Sequence, residues 1–160
     1  MSSWHDFAAA APELAARVRE RLEATGLALI ATLTSDGSPR ISPVEPLIAL
    51  GELWLGMMPA SRKASDLRRD PRIALHGATV DKQVTAGDAK LAGRAEQVTD
   101  PATVQAYREA FGAQAGEPVP PALALFRVEL TSASFLMPAG DHLDVTVWRE
   151  GGPAATVEVR

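Results

Sequence analysis

Leu14, Val18 and Leu22 repeat at a spacing of four between Pro12 and Gly26, which predicts an amphipathic helix over residues 12–25 ending in a left-handed glycine cap. The next segment, Leu27 to Thr34, is apolar on both faces and runs into Ser35-Asp36-Gly37-Ser38, so a buried strand turns back at an Asp-Gly hairpin. Arg40 to Ile48 reads as the returning strand, but Pro43 and Pro46 cannot donate ladder hydrogen bonds and leave part of the neighbouring edge unpaired. Gly51-Glu52 turns the chain into a third strand, Leu53 to Met58, completing a meander.

The pattern then changes period. Ser61 to Asp70 reads as a short helix capped by Ser61 and stopped before Pro71. Arg72 to His76 and Lys90 to Val98 read as strands joined by a polar loop through Gly87-Asp88, and Gly93 inside the second marks a bulge or barrel corner. Asp100-Pro101 starts a helix running to about Ala113, with Val104, Tyr107 and Phe111 along one face. Ala122 to Leu130 and Leu143 to Trp148 alternate as strands, and the tail from Glu150 onward is expected to be poorly ordered. Short strands joined by hairpins, with three helices too widely spaced for βαβ repeats, predict a mostly β fold: an antiparallel β-barrel with peripheral helices.

Composition narrows the function. A chain of 160 residues has room for one domain, with its core over about residues 14–148 and a flexible tail over 150–160. Apolar residues at 46% and charged residues at 22% are globular values, which removes disordered and fibrous classes. A formal charge of −4 argues against a nucleic-acid or anionic-membrane binder. With no cysteine, there is no thiolate nucleophile, disulfide framework or iron–sulfur site, and with neither a signal-peptide pattern nor a long apolar run the expectation is a cytoplasmic protein.

Chemistry concentrates at Ser61-Arg62-Lys63. A helix start offers free backbone N–H groups and the positive end of the dipole; adding a hydroxyl, a guanidinium and an ammonium equips it for a phosphomonoester. An exposed helix carrying solvated charges would read the same way. The proline-interrupted strand Arg40 to Pro46 adds free backbone groups suited to the amide-like edges of a flat ring such as a flavin. Arg40 either supplies a cation to that ligand or simply covers the hairpin end.

The order strand, DGSPRISPVEP, strand, LWLGMM, loop, SRKASDLRRDPRIAL resembles the pyridoxamine 5'-phosphate oxidase-like, FMN-binding split β-barrel family over about residues 14–148. The most specific part is Ser61, Arg62 and Lys63 followed by Leu67, Asp70 and Pro71. The resemblance implies that Ser61, Arg62 and Lys63 hold the FMN phosphate and that Arg40, Ile41, Ser42 and Pro43 lie along the flavin. Met57 and Met58 would then reach the ring or ribityl chain. It also implies a homodimer with the cofactor at the subunit interface, and Trp148 matches an aromatic position supplied by the partner. A tryptophan ending an alternating strand serves equally well as core.

Two departures count against pyridoxamine phosphate oxidation itself. Asp88-Ala89 stands where the family has a Gln-Ser pair, and the family's Arg, Leu, His substrate-phosphate motif is missing after Trp148. His5, His76 and His142 are too far apart in sequence to read as a zinc site, and no hydrolase elbow, P-loop or Rossmann glycine pattern occurs. The resulting expectation is an FMN-binding oxidoreductase acting on a small unsaturated or quinone-like molecule. Its rivals are a deazaflavin-dependent reductase of the same fold and a non-catalytic flavin-, haem- or anion-binding protein, the last using Arg62 to Arg72.

Overall fold

The computed structural model describes residues 1–160, with four helices and eight strands. Ser3 opens α1 (Trp4–Ala10): its hydroxyl accepts from the Asp6 amide while the Asp6 carboxylate accepts from the Ser3 amide. Apolar spacing does not reveal this helix, because 7 residues are too few to show a period; the reciprocal cap is its only sequence signal. Then come α2 (Pro12–Thr25), β1 (Ala28–Leu33), β2 (Pro39–Ala49), β3 (Glu52–Met57), α3 (Arg62–Arg69), β4 (Arg72–Gly77) and β5 (Asp88–Val98). The chain ends with α4 (Pro101–Ala115), β6 (Ala124–Ala139), β7 (His142–Arg149) and β8 (Ala155–Val159). No helix is long and apolar enough to cross a membrane.

The strands run in the order β3-β2-β1-β4-β5-β6-β7-β8, all antiparallel, and an additional pairing of β3 with β6 closes the first six into a barrel. The fold is a mostly β split barrel with extra strands and helices at its ends, as the residue pattern predicts. The Asp-Gly hairpin forms where expected, with Gly37 at φ 82 and the Thr34 amide donating to the Ser38 carbonyl. Gly93 sits at the shift in register between β5 and β6, and a Cβ there would lie 2.1 Å from the Glu129 carbonyl oxygen, so a side chain is excluded. The core fills with Phe7, Val18, Ile30, Leu53, Phe126 and Val128, all without solvent contact. Helices α1 and α2 pack across one side of the sheet.

Two expectations are corrected. The strand predicted over 122–130 continues to Ala139, because its first half closes the barrel against β3 while its second half carries β7. The tail expected to be poorly ordered forms β8, paired with β7 from Leu143↔Val159 to Val147↔Ala155. Its alternating Val157 and Val159 supply strand-forming side chains whose apolar faces remain exposed, so the tail does not register as core in the sequence.

At the open end of the β7–β8 hairpin, His142 meets Asp141 through Nδ1 at 3.1 Å and Asp144 through Nε2 at 3.1 Å, with Glu158 of β8 at 3.7 Å. Arg160 pairs with Asp141 at 2.7 Å and is the facing cation. The hydrogen bond to Asp141 and the charges of Glu158 and Asp144 hold His142 above its usual value of 6.5. A raised histidine stabilises the folded hairpin fully below the unfolded value and loses that contribution as pH climbs through the raised one. Amides of Ala155–Val159 should therefore lose protection, after correction for intrinsic exchange, when hydrogen exchange is compared at pH 6 and pH 9. His142→Gln should remove that pH dependence.

Candidate functional site

The loop after β3 delivers Ser61 to the start of α3, where its Oγ accepts from the Ala64 amide at 3.3 Å. That bond uses a lone pair and leaves the Ser61 O–H free to donate. The amides of Arg62 and Lys63, the first two of the helix, have no acceptor within it. Arg62 is exposed and makes no ion pair or side-chain hydrogen bond, while Lys63 donates from Nζ to the Pro43 carbonyl at 2.8 Å. Lys63 therefore ties the helix start to β2, and the expected grouping of Ser61, Arg62 and Lys63 beside that strand is present.

The remaining cations of this segment are already in use. Arg68 donates to the Pro59 carbonyl and to Gln97, Arg69 to the Leu33 carbonyl and Asp66, and Arg72 pairs with Asp70 at 2.6 Å. These pairings remove a broad anion surface over Arg62 to Arg72. The positive charge left for a ligand sits on Arg62 and Lys63.

Asp66 is the hinge of the arrangement. Its carboxylate is almost fully buried and accepts from Thr32 of β1 at 2.8 Å, from Arg40 Nε of β2 at 2.7 Å and from Arg69 at 3.0 Å. Burial pushes this carboxyl up, but the three donors together outweigh it and hold the group below the usual carboxylate range. Arg40, expected to address the ligand, is thus turned by its Nε toward Asp66 and braces β2 against α3. Nothing in local sequence spacing shows that pairing, since the partners stand 26 residues apart.

β2 explains why this edge is open. Residues 39–44 pair with β1, and β3 takes over only at Glu45–Ala49, so the stretch before Glu45 has a neighbour on one side alone. Pro43 lies exposed on it, Ser42 is half-buried, and Ile41 is 71% exposed on the outer face. Met57 is buried, whereas Met58, 73% exposed, projects beside the loop to α3. Two cavities adjoin along this face. One of about 330 Å³ is lined by Leu27, Pro43, Met58 and Lys63 and reaches under α4. The other, about 590 Å³, is a largely apolar hollow over Leu29, Ile41, Ala74, Ala92, Val145 and Val147.

Of the two readings open for Trp148, the structure takes the core one. It is 2% exposed, its ring lies 4.8 Å from that of Phe7 in α1, and its Nε1 has no hydrogen-bond partner. It closes the core of its own chain and is not presented to a partner's ligand. The missing signal was α1, whose Phe7 supplies the packing face.

The arrangement fits a ligand with a phosphomonoester at one end and a flat ring at the other. A pyridoxamine 5'-phosphate oxidase family model matches residues 14–137, and the chain belongs to that family. No curated protein matches by sequence. Among solved structures, PhzG from Burkholderia lata, in complex with tetrahydrophenazine-1-carboxylic acid, superposes with a TM-score of 0.65 at 16% identity, over 94% of this chain and 93% of its own. A pyridoxamine 5'-phosphate oxidase-related, FMN-binding protein from Nostoc punctiforme gives a TM-score of 0.65 at 14% identity, covering 93% of this chain and 94% of its own. A heme-binding protein from Mycobacterium smegmatis gives 0.59 at 16%, covering 90% and 87% respectively. These likenesses establish a shared fold.

Replacing Asp66 by Asn removes the charge that holds Arg40 and Arg69 while keeping an acceptor for Thr32. Because both arginines retain partial solvent access, the expected loss is about 1–3 kcal/mol in denaturant unfolding, with the slope unchanged.

Proposed function

We propose that the protein is a homodimeric, cytoplasmic FMN-binding oxidoreductase that moves hydride or electrons between the flavin and a small unsaturated or quinone-like substrate. The observation that carries this reading is the pair Arg62 and Lys63: cations without a carboxylate partner, at a helix start, beside the unpaired edge of β2. Membership of the family and an FMN-binding protein among the structural relatives support the choice of ligand.

FMN, when bound, supplies the redox chemistry. The chain's part is to bind and orient. Arg62, Lys63, the Ser61 hydroxyl and the first amides of α3 take the phosphate through charge-assisted bonds. Ile41, Ser42 and Pro43 offer backbone edge to the ring, and Met57 and Met58 give it an apolar border. Asp66 fixes Arg40 and so holds β2 and α3 at a constant separation.

The apolar hollow supports the homodimer. Leu29 is 48% and Ile41 71% exposed on the same outer face, which continues onto small residues of β4 and β5, and such a patch marks an association surface. A second copy laid across it would also cover the ring site at Pro43 and exclude water there.

Two outcomes test the reading. Arg62→Ala combined with Lys63→Ala should weaken FMN binding at least a hundredfold in a fluorescence titration, since each charge-assisted bond contributes about 1.5–3 kcal/mol; unchanged affinity rejects the phosphate site. Ile41→Asp should convert a dimer into a monomer by light scattering without loss of the far-ultraviolet circular dichroism signal. Parallel titrations with a deazaflavin coenzyme and with haem discriminate the cofactor.

A further inference from the structure

Glu52 opens β3 half-buried, and its Oε2 is sealed from solvent with no hydrogen-bond partner. A carboxylate oxygen in that position is costly to keep ionised. Helix α1 comes to rest against this end of the sheet: the His5 amide donates to the Gly51 carbonyl at 2.9 Å, and Ser2 exchanges two backbone hydrogen bonds with Leu130 of β6. Docking therefore brings Asp6 of α1 toward Glu52, which already has Glu129 of β6 for a neighbour. Burial opposes ionisation of Glu52 most, and the charges of Asp6 and Glu129 add to it, so the carboxyl stands above its usual 4.5. Arg127, opposite Trp54 on β6, draws it down without forming an ion pair. The match to the family model begins at residue 14, so α1 is not part of it.

We propose that α1 is an acid-strengthened strap: a proton on the Glu52 carboxyl seats the helix over Trp148, and loss of that proton lets it lift. Trp4 and Phe7 are the side chains the strap holds down; both are buried, and the Phe7 ring lies 4.8 Å from that of Trp148. With Glu52 ionised, Asp6, Glu52 and Glu129 share one corner and Arg127 is the cation set against them. His5 is exposed and the amino group of Met1 is held at Glu150, so neither satisfies the orphaned oxygen. A carboxyl raised by docking favours the docked helix fully below its unfolded value and loses that contribution as pH climbs through the raised one. The Asp6 cap runs the other way, because its bonds from Ser3 lower that carboxyl and fail as pH falls through the lowered value. The strap is therefore tightest between 3.8 and 4.5, above the ordinary value of the one group and below that of the other. Val147, beside Trp148 on β7, lines the apolar hollow on the opposite face, so lifting α1 removes support from one wall of that hollow.

Hydrogen exchange at the amides of residues 7–11 in the full chain, corrected for intrinsic rates, reads the strap. Relative to Phe126 and Val128 in the barrel, wild type should lose about two- to fivefold of that protection between pH 4.5 and pH 7. Glu52→Gln should keep the protection at pH 7 equal to that at pH 4.5. Arg127→Gln, which removes the opposing cation, should lower protection at pH 7 and leave it unchanged at pH 4.5. His5→Gln isolates the one histidine of the helix, and the pH dependence should persist in it. Protection in wild type that is flat or rises with pH, a dependence that survives Glu52→Gln, or one that disappears in His5→Gln overturns the proposal. Should Glu52→Gln fail to fold, Arg127→Gln decides alone: an equal loss at both pH values, or none at pH 7, overturns it.

Discussion

A carboxylate almost sealed from water must find donors, and Asp66 finds them on three different elements: Thr32 in β1, Arg40 in β2 and Arg69 in its own helix. The ligand-facing end of α3 cannot drift without breaking these bonds. Because Asp66 consumes Arg69 and the Nε of Arg40, and Asp70 consumes Arg72, the charge at the helix start is divided sharply between bracing cations and free ones. In the proposed phosphate site, selectivity for a single anionic group would rest on that division more than on the number of basic residues.

The second constraint is the staggered pairing of β2. Its two halves serve different partners, β1 throughout residues 39–44 and β3 only from Glu45, and the step between them is where backbone is left open. Prolines at 39 and 43 keep that open edge from recruiting another strand, since they remove N–H donors. The barrel therefore carries a protected gap on its surface beside the braced helix, and the two features together make the site.

Much of the fold was legible because its signals are local. The Asp36-Gly37 turn, the Pro12 and Asp100-Pro101 helix starts and the β5 bulge at Gly93 each depend on a residue type that the backbone requires. The Ser61-Arg62-Lys63 cluster was legible for the same reason, because a helix start organises adjacent residues. What stayed hidden depends on contacts between distant segments. Trp148 alternates like any strand residue, and only the docking of α1 decides that its indole faces Phe7. Arg40 and Asp66 look independent in sequence, and only the packing of β2 against α3 pairs them. β8 was missed because its exposed valines carry no burial pattern.

β6 has a bearing on how the chain reaches this state. The edge of β3 finds its closing partner only at Ala124–Val128, about 70 residues further along, so it stays unpaired while that stretch is synthesised. At about 5–20 residues per second the wait is roughly 4–14 s. Throughout it the apolar run Leu53-Trp54-Leu55 is a bare strand edge, the kind of surface that recruits a second unfinished chain. A barrel closed by a late strand thus places a risk of misassembly on the ribosome, before β6 can cover the edge.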